Sequence, residues 1–545
     1  MTSTPAPHVP VLVVGGSLVG LSTSVFLGRL GVRHLLVEKH SGTSRHPRGR
    51  GNNLRTMELF RVAGAEPMIR EAASVLADNH GILQASSLAG QEGEWLFKDM
   101  DPGRALGRIS PTGWCLCSQN DLEPVLLRYA AQLGGDIRFG TELVSFEQDD
   151  EGVTAVLLDR GTGRRRTVRT DYLVAADGPR SGVRERLGIG QSGSGELFAN
   201  VSVTFRAKRL ADTVGERRFI ACYLTGGAAE GVLLPVDNRE NWVFHAPWRP
   251  GDGETLEDFT DERCAAHIRA AVGVPDLEVE ITGKAPWRAA ERVADRYAHG
   301  RVLLVGDAVH EMSPTGAFGS NTGIQDAHNL AWKLAAVLDG WAGRGLLETY
   351  ERERRPVAVA TAERASARSA EHSHPGYAPP PGGGPRKGVL VVALGYRYQD
   401  GAVLGTDASA PVVPEEFRPV GEPGGRAPHL WVTDPSGGRR STLDAYERRM
   451  TLLAGDGEAG ERWRKVADAV AARLGVPLVC HRLGTGPDAD FVTEGDADWA
   501  ASHGTTPEGA VLVRPDGFIA WRAPGAVPDP ETELAGALRT LLSRT

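Results

Sequence analysis

The sequence has few cysteines, and their spacing does not indicate a disulfide framework or a metal site. There are five in 545 residues, and only Cys115 and Cys117 lie close together. Their spacing is tighter than that of a zinc knuckle, so we expect buried thiols and no bound metal. The closest pair of histidines, His372 and His374, borders a Pro/Gly-rich stretch, and we expect both side chains to lie in solvent.

Long apolar runs and an excess of basic charge are also missing. No segment is long enough to cross a bilayer, and Met1–Pro10 lacks the pattern of a secretory signal. The 61 basic and 69 acidic residues are mixed along the chain and give a net charge of -8, which argues against nucleic-acid binding. We therefore expect a cytoplasmic protein that acts on a small molecule, with neither nucleic acid nor membrane as a partner.

The chain opens with the pattern of a β-α-β unit. An apolar run over Val9–Val14 predicts a strand, helical spacing over Leu18–Leu30 predicts a helix, and Val32–Glu38 predicts a second strand. The turn between the first strand and the helix reads Gly15-Gly16-Ser17-Leu18-Val19-Gly20. Such a turn lets backbone amides approach a pyrophosphate, and a carboxylate at Glu38 suits the ribose of FAD or NAD better than that of NADP.

Two later segments also follow strands. The first contains Asp177 and Gly178, for which a helix N-cap by Asp177 is the simplest interpretation when the segment is taken alone. The second runs from Gly306-Asp307 through Pro314 and Gly316 to a helix predicted over Gly323–Leu338. A carboxylate at a strand end can accept hydrogen bonds from a ribityl chain, and the glycines leave room for a flat ring near the positive end of the helix.

These three segments, in this order and spacing, resemble the single-component (group A) FAD-dependent aromatic hydroxylases of the para-hydroxybenzoate hydroxylase type. The resemblance covers Val9 to about Ala370. Within that family the chain is most similar to hydroxylases of aromatic polyketides, because Pro47-Arg48, the segment Asn53 to Glu58 and the segment Asn321 to Leu334 match their pattern.

The resemblance implies a role for particular positions. The residues that it implies for FAD binding are Gly15, Ser17, Leu18, Val19, Gly20, Glu38, Lys39, Arg48, Gln119, Leu143, Asp177, Gly178, Asp307, Pro314, Gly319, Ser320 and Asn321. Pro314, Gly316 and Asn321 would form the catalytic flavin-side loop, and no side-chain base is assigned. Ser313, Ala317 and Ser320 depart from the family pattern, which often has proline, glycine, and methionine or leucine at these positions. For the substrate, Trp242, His245, Trp248, Trp287 and Phe318 are candidate pocket residues.

The expected fold class is α/β, with three domains. A discontinuous, Rossmann-like FAD-binding domain would comprise residues 1–190 and 291–374, and short β-type runs predict an inserted sheet-based substrate domain over 191–290. A Pro/Gly-rich linker at 375–388 would lead to a C-terminal domain at 389–545. That last part resembles the thioredoxin-like tail of many family members but has no Cys-x-x-Cys motif, so we expect a structural or dimer-packing role.

The resemblance implies a reaction cycle with FAD as cofactor and NADPH or NADH as transient reductant. Oxygen would add to the reduced flavin to give a C4a-hydroperoxide that hydroxylates a polycyclic aromatic substrate. Oxygen insertion beside a ketone, or an oxidative rearrangement of a polycyclic quinone, is an alternative on the same fold. An NAD(P)-dependent dehydrogenase and a non-catalytic flavin-binding partner are alternatives of other classes.

Overall fold

The computed structural model describes residues 7–90, 93–227, 229–372, 374–377 and 388–544. The strands up to residue 175 are β1 (His8–Val14), β2 (His34–Glu38), β3 (Gly51–Asn52), β4 (Gly81–Ala85), β5 (Gly93–Phe97), β6 (Cys115–Leu116), β7 (Asp136–Phe139), β8 (Thr141–Gln148), β9 (Val153–Asp159) and β10 (Arg165–Ala175). The helices up to residue 186 are α1 (Leu18–Arg29), α2 (Leu54–Val62), α3 (Glu66–Ala72), α4 (Gln119–Gln132) and α5 (Gly182–Arg186).

The middle of the chain is rich in strands and ends in two long helices. Its strands are β11 (Gln191–Arg206), β12 (Phe219–Leu224), β13 (Gly231–Pro235), β14 (Asn241–Trp248), β15 (Glu280–Ala294), β16 (Ala298–His299), β17 (Val302–Leu304) and β18 (His310–Glu311). Its helices are α6 (Leu210–Val214), α7 (Asp261–Val272), α8 (Phe318–Leu338) and α9 (Thr349–Glu371).

The C-terminal part alternates helices and strands. Its helices are α10 (Val389–Leu394), α11 (Gly457–Leu474), α12 (Trp499–Ser502) and α13 (Pro530–Leu541). Its strands are β19 (Trp431–Thr433), β20 (Arg439–Ser441), β21 (Met450–Gly455), β22 (Leu478–Gly484), β23 (Phe491–Thr493), β24 (Ala510–Val513) and β25 (Ile519–Ala523). Residues 378–387 of the expected linker lie outside the described residues.

The first sheet has the strand order β16-β17-β10-β1-β2-β7, with β9 pairing β10 and β8 pairing β9. Strands β17, β10, β1, β2 and β7 run parallel to one another, and β16 and β9 add antiparallel pairs to β17 and β10. The segments of β1 and β2 next to Val14 and Val37 are buried and apolar, as expected for a parallel sheet covered on both faces. Parallel pairing brings the turns after β1, β2, β10 and β17 to one edge, where ligands of such sheets bind.

The second sheet has the order β18-β15-β11-β14-β13-β12-β4-β5 and is mostly antiparallel. Strands β4 and β5 come from residues that were expected in the first part of the FAD-binding domain. They belong to the second sheet because β4 pairs in parallel with β12. One face of this sheet forms a core with Trp242, Phe244 and α7. Paired residues across the sheet place Ser202, His245, Val232 and Tyr223 in one row.

The third sheet belongs to the C-terminal part and has the order β20-β19-β23-β22-β21-β24-β25. Its hydrophobic core is shared with the first part of the chain, since Trp332 of α8 and Trp341 pack in the same cluster as Trp463, Leu512 and Leu538. All five cysteines are buried and unpaired, which confirms the expectation of core thiols. Within the described part of the chain, no helix combines the length and apolar character needed to span a bilayer.

Candidate functional site

A single large cavity of about 2050 Å³ joins the edge of the first sheet to the second sheet. Ligand pockets usually measure about 300–1,000 Å³, so this cavity has room for two ligands at once. One end is lined by the turns after β1, β2, β10 and β17, and the other by the row that contains His245 and Tyr223. Most of the residues that the sequence predicted for FAD therefore meet on one continuous surface.

The turn after β1 allows very close backbone packing. Gly15 has a φ of +109°, and a methyl group there would overlap the Ala176 carbonyl oxygen; one on Gly20 would overlap the Gly15 carbonyl oxygen. Gly20 therefore lies behind the cavity wall and permits the turn, whereas Gly15, Ser17, Leu18 and Val19 line the cavity. The Gly16 amide donates a 2.7 Å hydrogen bond to Oε2 of Glu38.

Glu123 of α4 is a site residue that the sequence analysis missed. Its buried carboxylate accepts hydrogen bonds from the Ser17 hydroxyl at 2.6 Å, the Gln119 side chain at 2.6 Å and the Ser44 amide at 2.9 Å. Gln119 and Glu123 are four residues apart on one face of α4, a spacing visible in the sequence. The contact with Ser17 could be found only from the fold.

Two aspartates follow strands at the same edge, as the sequence predicted. Asp177 is largely enclosed by protein, and burial raises the pKa of its carboxyl. Its Oδ2 accepts from the Val183 amide at 3.2 Å, while its buried Oδ1 has no hydrogen-bond partner among the described residues. Asp307 lines the cavity after β17, and its pKa is also raised by desolvation. Lys39, Arg48, Leu143 and Gly178 line the cavity as well.

The flavin-side loop lies between β18 and α8. Gly316 has a φ of +92° and Ala317 a φ of +55°, so this alanine adopts the left-handed conformation for which the family often has glycine. Helix α8 begins at Phe318, five residues before the predicted Gly323, because the small and polar residues Gly319 to Thr322 show no apolar periodicity. No side chain caps this helix, and Gly319 and Ser320 of its first turn line the cavity with Pro314 and Gly316.

Asn321 lies behind this loop and holds it in place. Its Oδ1 accepts from the Asn53 amide at 2.9 Å, and its Nδ2 donates to the Gly51 and Ala317 carbonyls at 2.8 and 2.6 Å. Asn321 is buried and does not line the cavity. Asn321 therefore positions the loop through these hydrogen bonds.

Ser313 is explained by a buried hydroxyl contact. Its Oγ lies 2.5 Å from Oγ of Ser369, which donates to Oγ1 of Thr315 at 2.8 Å. Proline at position 313 could not form this bond. These hydrogen bonds therefore hold the loop against α9.

Two of the candidate substrate residues do not reach the cavity. His245, Trp248 and Trp287 line it. Trp242 is three residues before His245, on the opposite face of β14, and is buried in the core with α7. Phe318 is buried in another hydrophobic cluster beside α9.

The expectation that His372 and His374 lie in solvent was wrong. Both are buried, because the chain after α9 turns back onto the second sheet. The His374 ring lies 4.4 Å from the ring of Phe198, and the His372 ring lies 5.4 Å from that of Tyr223. The Pro/Gly composition of the following residues concealed this packing.

A buried ionic cluster joins α8, α9 and the C-terminal part. Asp326 accepts from Arg354 at 2.7 Å and from His310 at 2.9 Å. Glu353 accepts from Lys333 at 2.7 Å and from Arg514 at 2.7 Å. This cluster fixes α8, whose first turn lines the cavity, to the third sheet.

Family models describe almost the whole chain. Residues 8–365 match the FAD binding domain, and residues 421–545 match the aromatic-ring hydroxylase C-terminal domain. This protein belongs to the FAD-dependent aromatic-ring hydroxylases. It is a flavoprotein monooxygenase that uses NAD(P)H as reductant.

Relatives of this hydroxylase match it along nearly its full length. A Streptomyces halstedii protein described as a polyketide hydroxylase is 68% identical over 98% of this chain and 97% of its own length. The tetracenomycin A2 monooxygenase-dioxygenase of Streptomyces glaucescens is 42% identical over 99% of this chain and 97% of its own. The crystal structure of aklavinone-11 hydroxylase with FAD and aklavinone superposes with a TM-score of 0.88, at 39% identity, over 99% of this chain and 100% of that one.

Proposed function

We propose that this hydroxylase adds one oxygen atom from O2 to a polycyclic aromatic compound of polyketide type. The observation that carries the proposal is the single cavity of about 2050 Å³, which starts at the dinucleotide turn and ends at the inner face of the second sheet. One ligand at the first sheet and a second, flat ligand at the second sheet can share this space. The aromatic polyketides named for its relatives have that shape.

The residues around the first sheet fit FAD. The glycine turn leaves no room for side chains between the β1 turn and the strand beside it, and Asp177 offers an unpaired carboxylate oxygen. We assign the ADP half to Gly15, Ser17, Leu18, Val19 and Glu38, with Lys39, Leu143 and Gly178 nearby. Arg48, Gln119 and Asp307 would hold the pyrophosphate and ribityl parts.

The flavin-side loop would hold the ring system. Pro314, Gly316, Gly319 and Ser320 offer backbone rather than bulky side chains, and the uncapped positive end of α8 favours negative charge there. When bound, FAD would accept two electrons from NAD(P)H and would then activate oxygen. Asn321 contributes by fixing the loop to the Gly51–Asn53 segment.

The substrate side can be kept dry by its own lining. Trp248, Trp287 and Tyr223 surround this end of the cavity, with Ile220, Val232 and Leu234 beside them. An apolar enclosure excludes water and orients an aromatic ring between flat side chains. These residues would hold the substrate against the flavin-side loop.

We further propose that the chain is divided as the sequence suggests, with the FAD-binding domain at 1–190 and 291–374 and the substrate domain at 191–290, extended by β4 and β5. The C-terminal domain at 389–545 would be a thioredoxin-like unit, since β21, α11 and β22 form a parallel crossover beside antiparallel β24 and β25. Its shared core and buried Cys480 favour a structural or dimer-packing role, and light scattering tests whether the protein is a homodimer.

The proposal is tested with the purified, FAD-loaded protein. NADPH oxidation is followed with and without polyhydroxylated anthraquinones, and the product is analysed by mass spectrometry under ¹⁸O2. We expect faster NADPH oxidation with substrate and a product heavier by one ¹⁸O atom with all its rings intact. A ring-opened or lactone product would favour oxygen insertion instead. A protein whose bound FAD is not reduced by NADPH would contradict the proposal.

A further inference from the structure

The protonation of His245 is fixed by its neighbour. The indole Nε1–H of Trp287 donates a hydrogen bond to Nδ1 of His245 at 3.3 Å, and the two rings meet edge to face at 5.3 Å. An indole nitrogen can only donate, so Nδ1 of His245 must carry a lone pair. The two residues lie on β14 and β15, on either side of β11.

His245 also stays uncharged. Burial lowers its pKa to about 3, and the positive charge of Arg50 acts in the same direction. A neutral imidazole without a proton on Nδ1 carries it on Nε2. That Nε2 makes no hydrogen bond to a described residue, and the side chain lines the cavity.

His374 has the opposite polarity. Its Nδ1 lies 3.0 Å from the Pro375 carbonyl oxygen, which can only accept, so Nδ1 carries the proton. Burial lowers the pKa of His374 to about 4. Its Nε2 is therefore a lone-pair acceptor, and the side chain also lines the cavity.

The two histidines belong to one aromatic wall. The ring centroids follow the order His374, Phe198, Trp287 and His245, with separations of 4.4, 5.8 and 5.3 Å. Phe198 and Trp287 thus hold both imidazoles at the substrate end, one as a donor and the other as an acceptor.

We propose that His245 and His374 determine substrate specificity by reading opposite polarities: His245 donates from Nε2 to a ketone or quinone oxygen, and His374 accepts at Nε2 from a phenol. This inference rests on the proposed function and names its substrate class as a hydroxylated polycyclic quinone. A buried polar group that loses its partner costs more than the bond itself contributes, so such a pair rejects hydrocarbons without oxygen at these positions.

The donor half is tested by equilibrium binding to the FAD-loaded protein without reductant. The probes are anthraquinone-2-sulfonate and anthracene-2-sulfonate, which differ by the two carbonyl oxygens. We expect the parent protein to prefer the quinone by about tenfold. His245→Leu should remove this preference, and His245→Gln, whose amide nitrogen can still donate, should retain most of it.

A matched control is His267→Leu. His267 lies on α7 against Phe244, the neighbour of His245 on the other face of β14, and bonds to the Glu230 carbonyl outside the cavity. It should leave both affinities unchanged. Trp287→Phe frees the His245 tautomer without removing the ring, so it should reduce the quinone preference by less than His245→Leu does.

The acceptor half is tested with 6-hydroxy- and 6-methoxyanthraquinone-2-sulfonate. We expect His374→Leu to abolish the preference for the hydroxyl compound and to leave the quinone preference in place. Equal binding of quinone and anthracene by the parent, or a quinone preference that survives in a folded His245→Leu variant, would overturn the inference. NADPH oxidation under ¹⁸O2 on the same sample reports separately on the proposed function, which stands if that assay succeeds while the polarity test fails.

Discussion

The hydroxyl of Ser17 donates a 2.6 Å hydrogen bond to Oε1 of Glu123, across 106 positions of the sequence. The same carboxylate accepts from the Ser44 amide, so it joins the turn after β1 to the loop after β2. Glycine at position 17, the usual residue of such turns, could not make this contact. The serine is therefore part of how this chain builds its dinucleotide turn.

Replacing Glu123 by glutamine should weaken FAD binding about tenfold. The charge-assisted bonds to Ser17 and Gln119 become neutral ones. The NH2 of the new side chain then faces the Ser44 amide, which is also a donor, so one hydrogen bond is lost. Flavin fluorescence after ultrafiltration measures the dissociation constant. Glu71→Gln, at an exposed position, is the control. Unchanged affinity in the Glu123 variant would contradict this role.

The first β-α-β unit could be predicted from sequence because its signals are local. Gly15 and Glu38 lie at the ends of short apolar strands, and the period of the intervening residues fixes the helix. Asp177 and Asp307 were found because strand ends in a parallel sheet meet at one edge. The position of Glu123 was missed because its contact with Ser17 depends on how α4 packs.

The substrate end of the cavity was harder to predict from the sequence than the first β-α-β unit. On β14 both faces are buried, so composition does not indicate whether Trp242 or His245 faces the cavity. Residues three apart on a strand point in opposite directions, and only the packing of α7 decides between them. His372 and His374 were wrongly expected in solvent for a related reason. Their burial depends on contacts with Phe198 and Tyr223, which are distant in the sequence.

Breaking the ionic cluster between α9 and the third sheet should destabilise both parts together. Arg514 is fully buried and donates to Glu353 at 2.7 Å and to Asp516 at 2.5 Å. Arg514→Met leaves two buried carboxylates short of a partner, which costs about 3–5 kcal/mol of unfolding free energy. Urea unfolding followed by circular dichroism should show one transition at lower urea.

The control for that experiment is Arg473→Met, which removes an exposed pair with Glu531. Exposed ion pairs contribute about 0–1 kcal/mol, so this variant should unfold close to the parent. Two separate transitions in Arg514→Met would contradict a cluster that couples the two parts.

Ala317→Gly should stabilise the protein slightly. Ala317 has a φ of +55°, a conformation that costs a residue with a Cβ about 1–2 kcal/mol. Glycine removes this strain but adds freedom to the unfolded chain, so the net gain should be about 0.5–1 kcal/mol. Thermal unfolding measures it, and Ala360→Gly, inside helix α9, should show the opposite sign. A loss of stability in Ala317→Gly would show that the methyl group makes a contact worth more than the strain.

The protein should lose stability as the pH falls below about 6.5, the ordinary pKa of histidine. Burial lowers the pKa values of six histidines to about 3 or 4; they are His245, His328, His372, His374, His429 and His503. Because the folded pKa lies below the unfolded one, the unfolded chain binds more protons between these values, and the free energy of unfolding falls with pH by up to about 1.4 kcal/mol per unit for each histidine.

Calorimetric melting temperatures should therefore be nearly constant from pH 8 to 7 and fall steadily from pH 6.5 towards 4. His503 offers a way to assign the effect, because it is fully buried in the C-terminal part, far along the chain from the cavity residues. A folded His503→Gln variant cannot take up this proton, so its melting temperature should fall less steeply over that range. A melting temperature that stays level or rises between pH 6.5 and 5 would mean that these histidines are already protonated in the folded protein.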